Sequence, residues 1–381
     1  MLKVMTIFGT RPEAIKMAPV VKALEAAPDM EAIVTVTAQH REMLDQVLNL
    51  FDITPQYDLN IMCQGQTLYD VTSKSLLGLR DVLSDAKPDV VLVHGDTTTT
   101  FAGALAAFYQ EIPVGHVEAG LRTGNIYSPF PEEMNRKLTG SLASYHFAPT
   151  SSAEKNLMKE NISSAHLYVT GNTVIDALQT TVKEDYHFDE ELLNNLDYES
   201  RRVVLVTTHR RENLGEPMRQ VYKAIRRLVD AFDDIEVVFP VHRNPKVRQI
   251  VKEELGEVER VHLIDPLEYE PFANLMARSY LLLTDSGGIQ EEAPALGKPV
   301  LVLRNTTERP EAVTAGTVKL VGTDEETVYT TAYRLLADAD AYEAMANSIN
   351  PYGDGIASQR IIEALRYEFL ESGKRPSRFG Y

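Results

Sequence analysis

The sequence predicts an α/β protein of two Rossmann-like domains facing a central cleft, and three observations carry that prediction. Short apolar runs rich in Val, Ile and Leu recur along the chain, as expected of strands buried on both faces. Each run ends in a glycine or polar turn and leads into helical periodicity, the pattern of a parallel sheet with crossover helices. The series occurs twice, in halves of similar size, separated by an acidic, weakly patterned stretch at 183–201 that reads as a linker region. The expected domains are 1–171, joined by the C-terminal helix 357–381, and 172–356.

In chain order, Lys3–Phe8 is the first expected strand and Gly9 turns the chain. Thr10-Arg-Pro-Glu13 fits a capping box with Pro12 in the first turn. Ile15, Met17, Val20, Val21 and Leu24 then form one apolar helical stripe. Arg11 and Lys16 therefore fall at a helix N-terminus beside the carboxyl end of a strand, where doubly wound sheets bind ligands. Ala32–Thr37 is the second strand, followed by Ala38, Gln39 and His40. Asp89–Val93 leads through His94-Gly-Asp96 and four threonines into an Ala-rich helix. Ile112–Val117 ends in Glu118, and Glu132 and Glu133 open another helix. Tyr145–Ala148 and Leu167–Thr170 complete the first series, which thus brings Arg11, Asp96 and Glu118 to one edge of a sheet.

The second series begins with Arg202–Thr207, and His209, Arg210 and Arg211 follow it. Glu236–Val241 precedes His242 and Arg243, and Val261–Ile264 comes next. Leu281–Thr284 leads into Asp285-Ser286-Gly287-Gly288 and a short helix. That turn offers residues tolerant of left-handed backbone, followed by a helix N-terminus suited to phosphate. Glu291 and Glu292 lie in or near its first turn, Pro294 limits the helix, and Gly297 ends it. An ordinary packing turn would look the same in isolation. Strand 300–303 precedes Thr307-Glu-Arg309-Pro-Glu311, and the last helix covers about 357–370.

Composition narrows the function. A chain of 381 residues suggests about two domains. No apolar run is long enough to span a bilayer, and Val4–Phe8 before Arg11 is too short for a signal peptide, so a cytoplasmic protein is expected with no membrane partner. The single cysteine, Cys63, excludes an internal disulfide and speaks against a Cys-based metal site. A net charge of −17 argues against nucleic acid as partner, whereas an anionic small molecule needs only a local basic cluster. The sequence contains no Walker A loop, GxGxxG, HExxH or GxSxG. The second strand ends without the acidic residue that holds the ribose of NAD. No cofactor and no metal are therefore expected.

What the strand ends do carry is divided between the halves. Basic groups come from both: Arg11, Lys16, His209, Arg210, Arg211, His242, Arg243 and Arg309. The carboxylates Asp96, Glu118 and Glu132 come from the first half. The division suggests a nucleotide held by the second domain and chemistry supplied by the first.

Seven segments together support a resemblance to a family. They are Gly9-Thr-Arg-Pro-Glu-Ala-Ile-Lys16, Thr37-Ala-Gln-His-Arg-Glu-Met-Leu44, His94-Gly-Asp-Thr-Thr-Thr99, His116-Val-Glu-Ala-Gly-Leu-Arg122, Thr208-His-Arg-Arg-Glu-Asn213, Asp285-Ser-Gly-Gly-Ile-Gln-Glu-Glu-Ala-Pro294 and Thr307-Glu-Arg-Pro-Glu311. Across essentially its whole length the chain resembles the bacterial non-hydrolysing UDP-N-acetylglucosamine 2-epimerases. The resemblance implies a GT-B-like fold, a homodimer, and interconversion of UDP-GlcNAc and UDP-ManNAc. The implied route eliminates UDP to 2-acetamidoglucal and adds it back, supplying ManNAc for cell-surface polysaccharide or teichoic acid. Asp96, Glu118 and Glu132 are then acid/base candidates. Arg11, Lys16 and His209 hold or stabilise the diphosphate, with His209 also counted among the catalytic residues. Ser286, Gly287 and Gly288 contact phosphate, Glu292 the ribose, Phe272 the uracil, and Arg309 the nucleotide. Some family members bind a second UDP-GlcNAc as an activator, and Gln39, His40, Arg210 and His242 match that region. Glu42 and Gly65 depart from the Gln and Arg expected there, which implies weaker or differently built activation. The rival readings are a GT-B glycosyltransferase, a hydrolysing epimerase and a non-catalytic nucleotide-sugar sensor.

Overall fold

The computed structural model describes residues 1–39, 41–371 and 373–380. The chain divides into two compact units. Unit 1 combines Met1–Gln179 with Tyr352–Tyr381, and unit 2 is the continuous stretch Thr180–Pro351.

Among the described residues, the sheet of unit 1 contains β1 (Leu2–Phe8), β2 (Met30–Val36), β3 (Tyr57–Asp58), β4 (Val90–His94), β5 (Val114–Val117), β6 (Tyr145–Ala148) and β7 (Leu167–Val169). Their order is β3-β2-β1-β4-β5-β6-β7, and every pairing is parallel. The chain starts in the middle of the sheet and winds outward in both directions. Loops leaving β1 and β4 therefore diverge, and a crevice opens at their carboxyl ends. Val4, Met5, Ile7 and Phe8 of β1 are all buried, because helices cover both faces of the sheet. On one face Met5, Ile7, Val91 and Val93 pack with Leu79 and Leu83 of helix Leu68–Ala86 and with Ala104 and Ala107 of helix Thr98–Tyr109. The small side chains let the second helix lie close to the sheet.

The C-terminal helix Ala357–Phe369 packs against helix Arg11–Glu25. Its own N-cap residue, Ile356, has no side-chain acceptor. Asp176, on helix Thr173–Thr181, fills that role from elsewhere in the chain. It accepts hydrogen bonds from the N–H of Ser358 (2.7 Å) and Ala357 (3.2 Å) and from the Ser358 hydroxyl (2.6 Å). Burial raises the Asp176 carboxyl above its usual range, with these donors opposing. At the other end Arg366 grips Asp29 through two bonds of 2.7 and 2.8 Å. The Phe379 N–H donates to the Val169 carbonyl at 2.8 Å, so the tail covers the outer edge of β7.

Among its described residues, unit 2 contains β8 (Arg202–Thr207), β9 (Ile235–Pro240), β10 (Val261–Ile264), β11 (Leu281–Thr284), β12 (Val300–Val302) and β13 (Val318–Leu320). The order β10-β9-β8-β11-β12-β13, again all parallel, repeats the winding of unit 1. Its core joins Val204, Val206, Val237, Phe239, Leu281 and Leu283 to Tyr222, Ile225 and Leu228 of helix Glu216–Ala231. The α/β expectation with two Rossmann-like series is thus met. The 183–201 stretch is not a loose linker. Phe188 and Leu193 are buried, and the Arg278 guanidinium lies 5.0 Å from the Phe188 ring and 5.6 Å from that of Tyr198. A few apolar anchors spaced among many acids suffice to dock the segment, and charge content alone hid them.

Candidate active site

At the carboxyl end of β1, Gly9 passes so close to the end of β2 that a Cβ would lie 2.0 Å from Thr37 Oγ1. Only glycine fits there. Thr10 then caps helix Arg11–Glu25, and Glu13 folds its carboxylate back over the turn. Glu13 Oε2 accepts from the N–H of Gly9 (3.0 Å) and of Thr10 (2.8 Å). Oε1 accepts from the hydroxyls of Thr97 (2.7 Å) and Thr100 (3.1 Å), which follow β4. One buried carboxylate thereby ties the two loops of the switch point together. Burial drives Glu13 above the usual carboxylate range, because none of these partners carries a charge to offset it.

Glu118 follows β5 with its backbone in the left-handed region at φ 62°, a costly conformation for a residue with a side chain. Its Oε2 pairs with the Lys16 ammonium and accepts from Asn172 Nδ2 at 2.9 Å. His94, at the end of β4, places Nε2 3.8 Å from the same oxygen. His94 is buried, and among the described residues neither of its ring nitrogens has a hydrogen-bond partner. Burial pushes it down to about 4, with Glu118 opposing and Lys16 reinforcing, so it is neutral at pH 7. Asp96 pairs with Arg136 at 2.6 Å, and its backbone carbonyl accepts from Asn135 at 2.9 Å. Both partners lie on helix Glu132–Leu142, whose first residue is the half-buried Glu132. Glu133 anchors the preceding loop through the N–H groups of Thr123 and Gly124, both at 3.0 Å. Burial opposes its charge, but those donors and Arg136 outweigh it and hold its carboxyl below the usual range. The helix, the loop and Asp96 are thus fixed to one another.

In unit 2 the corresponding loops follow β8 and β11, and Asp285 joins them from the β11 side, as Glu13 joins those of unit 1 from the β1 side. Asp285 is fully buried. Oδ2 accepts from the N–H of His209 and of Arg210, both at 2.9 Å, and Oδ1 lies 3.0 Å from His209 Nδ1. Burial opposes the charge of Asp285, yet the imidazole and the backbone donors prevail and its carboxyl lies below the usual range. With Nδ1 turned to Asp285, Nε2 of His209 is the ring nitrogen directed away from that carboxylate. The His242 ring stacks on His209 at 5.8 Å between centroids. Burial and that neighbour both lower His242.

The turn after β11 differs from expectation. Gly288 has φ −63°, and neither Gly287 nor Gly288 adopts left-handed backbone. A Cβ at Gly287 would lie a tight 3.3 Å from Arg309 Nη1. Gly297 does adopt φ 66° just past helix Ile289–Ala295. Arg309 Nε donates to the buried Glu291 at 2.8 Å, so Glu291 braces the arginine. Glu292 is half-buried beside Gly288. Thr307 donates to Gln290 at 2.6 Å and tethers the Arg309 loop to the same helix.

The structure thus brings Lys16, Glu118 and Asp96 to adjacent loops of unit 1, with Arg11 opening the first of the helices involved. It brings His209, Arg210 and Ser286 to adjacent loops of unit 2, and Arg309 against Gly287. Phe272 stands half-buried in the first turn of helix Tyr269–Arg278. Gln39 lies 3.4 Å from the Thr99 hydroxyl in unit 1, whereas Arg210 and His242 belong to unit 2. His40 lies outside the described residues. Sequence reasoning did not single out Asp285, Arg136 or Asn172 as site residues. Asn172 follows a strand directly after Gly171, and Asp285 follows a strand two residues before Gly287, which was the available signal.

A sequence model of the family described as UDP-N-acetylglucosamine 2-epimerase matches residues 22–366. The UDP-N-acetylglucosamine 2-epimerase of Bacillus subtilis strain 168 is 59% identical over 378 residues, 99% of this chain and 98% of the relative. A crystal structure from Listeria monocytogenes is 54% identical, covers 100% of both chains and superposes with a TM-score of 0.95. The UDP-GlcNAc 2-epimerase of Neisseria meningitidis, solved bound to UDP-GlcNAc, is 53% identical with a TM-score of 0.85, over 96% of this chain and 100% of that one. This chain belongs to the UDP-N-acetylglucosamine 2-epimerase family.

Proposed function

We propose that the protein interconverts UDP-GlcNAc and UDP-ManNAc by eliminating UDP and adding it back, without hydrolysis. The observation that carries this is Glu118, a carboxylate held by Lys16 and Asn172 at the edge of the unit 1 sheet. The C2 hydrogen of the sugar has no carbonyl beside it and resists direct removal. When the C1–O bond breaks and its electron pair leaves on UDP, positive charge at C1 acidifies C2–H. A carboxylate takes that proton and 2-acetamidoglucal forms. Delivery of a proton to the opposite face of C2, with UDP oxygen re-bonding to C1, completes the inversion. Asp96, Glu118 and Glu132 serve as the acid/base groups. Arg11, Lys16, His209 and Arg309 stabilise the leaving diphosphate, with Ser286, Gly287 and Gly288 at its oxygens, Glu292 at the ribose and Phe272 at the uracil. The chemistry then belongs mainly to unit 1 and UDP recognition mainly to unit 2, and no cofactor takes part.

Proton NMR of the protein with UDP-GlcNAc in D2O, without acceptor or NAD, tests this. The expected product is UDP-ManNAc carrying deuterium at C2. Accumulation of UDP and free sugar would instead identify a hydrolysing epimerase. No turnover without an acceptor would favour a glycosyltransferase or a non-catalytic sensor, which an acceptor screen would tell apart.

Regulation, assembly and location complete the proposal. Gln39, His40, Arg210 and His242 take an activating second UDP-GlcNAc. Activation is weak because Glu42 adds a negative charge and Gly65 offers no side chain. A strongly sigmoidal rate curve unchanged by Glu42→Gln would contradict that. The protein acts as a homodimer, a state supported by the exposed Tyr69, Leu77, Phe108 and Tyr109 on the neighbouring helices Leu68–Ala86 and Thr98–Tyr109. Light scattering should give twice 42.6 kDa. A cytoplasmic setting suits the free, exposed thiol of Cys63.

A further inference from the structure

Asn172 occupies the turn between β7 and helix Thr173–Thr181 and is 3% exposed. Both ends of its side chain are engaged. Nδ2 donates to Glu118 Oε2 at 2.9 Å, and Oδ1 accepts from the Val174 N–H at 3.1 Å. Its backbone N–H donates to the Tyr352 carbonyl at 2.6 Å, where the chain re-enters unit 1. We propose that Asn172 is a positioning residue for proton transfer at C2. It fixes the orientation of the Glu118 carboxylate and favours its proton-accepting anion. The proposal rests on the assignment of Glu118 as an acid/base group.

The geometry gives three reasons. The left-handed backbone at Glu118 departs from the extended form of the strand before it, so its side chain needs an external anchor. Nδ2 belongs to a buried amide whose opposite end is locked by a helix N-terminus, so the donor cannot swing away without losing a second bond. The charged and titratable groups facing Glu118 in its described contacts are Lys16, from helix Arg11–Glu25, and His94, from β4. His94 is buried and uncharged near neutral pH, which leaves the Lys16 ammonium and the Asn172 amide to favour the anion.

Asn172→Asp separates this role from a structural one. It keeps the size of the side chain and the oxygen that receives the Val174 N–H, but sets a second carboxylate against Glu118. The expected result is a fall in kcat of about tenfold to a hundredfold, with KM changed by less than about twofold. The acid limb of the pH profile should move up by about one unit, because a like charge disfavours the Glu118 anion. Asn172→Ser, too short to reach Glu118, should lower kcat without that pH shift and serves if the aspartate variant folds poorly. In a Glu118→Gln background, Asn172→Asp should cost nothing further. Wild-type kcat and pH profile in Asn172→Asp, with Glu118→Gln inactive, would overturn the positioning role alone. So would a full additional loss in the double variant. Wild-type activity in Glu118→Gln would overturn the acid/base assignment and the positioning role with it.

Discussion

At the switch point of unit 1 a buried carboxylate, Glu13, is met by hydroxyls and backbone N–H groups. At that of unit 2 a buried carboxylate, Asp285, is met by backbone N–H groups and an imidazole. Both tie the loop after the first strand to the loop after the fourth, in sheets wound the same way. Their acidities move in opposite directions, Glu13 up and Asp285 down. Desolvation is common to both, and the difference lies in the partners. Threonine hydroxyls can donate to an anion or accept from an acid, so they do not insist on charge at Glu13. Backbone donors are common to both carboxylates, and it is the imidazole of His209 that adds a preference for charge at Asp285. Unit 1 thus gains a brace between its β1 and β4 loops that tolerates the neutral form, whereas unit 2 gains a carboxylate that favours its charge and orients His209.

The comparison is broken most severely at the working groups. Glu118→Gln should lower kcat by about a thousandfold with KM little changed, as for loss of an acid/base group. Steady-state rates of UDP-ManNAc formation check it, and a loss confined to KM would move the chemistry out of unit 1. Asp285→Asn should lower kcat/KM by about a hundredfold, because an amide facing Nδ1 favours the wrong tautomer of His209. Equal losses in Asp285→Asn and Glu13→Gln would erase the distinction between the two braces.

Acid should separate the units next. Burial pushes His94 to about 4, His116 to about 3 and His146 to about 4, all in unit 1. These values lie below that of an unfolded histidine, so the stability they protect is present above about pH 6.5 and is lost as pH falls toward 4. The loss amounts to a few kcal/mol per histidine. Hydrogen exchange at pH 5 should therefore open unit 1 before unit 2. Simultaneous opening would show that these histidines do not govern acid stability.

The smallest effect is expected at Glu13. Its folded value is raised, so its contribution to stability is complete below about pH 4.5 and is lost as pH rises through the folded value. Glu13→Gln, which the two threonine hydroxyls can accommodate, should change stability by less than about 1 kcal/mol at pH 4.5. It should also flatten the decline toward neutral pH, as read from denaturant midpoints across that range.

Much of this was legible in the chain itself. The apolar runs and their turns placed the strands, since strands buried on both faces leave little ambiguity in period. Thr10-x-x-Glu13 announced its own cap, and Gly297 announced the end of the short helix. What escaped were partners far apart in the chain. Thr97 and Thr100 read as a helix entry, and their bonds to Glu13 exist only because β1 and β4 are neighbours. Asp285 read as part of a phosphate turn, and its role came from His209 on the adjacent strand end. Gly287 was expected for its backbone freedom, yet its backbone is not left-handed, and a Cβ there would sit tightly at 3.3 Å from the Arg309 guanidinium. Spacing along a sequence reports local geometry well and cross-sheet geometry hardly at all.

The cap that Asp176 places on helix Ala357–Phe369 has a consequence for synthesis. Unit 1 is built from two segments that flank unit 2 in the chain, whereas unit 2 is one uninterrupted span. On the ribosome, the N-terminal sheet must wait through the whole of unit 2 with Asp176 unoccupied and one flank of helix Arg11–Glu25 uncovered. Unit 2 can close meanwhile. The earlier-made segment of unit 1 therefore completes its fold only after unit 2 can have closed, and until then it carries an uncovered apolar flank.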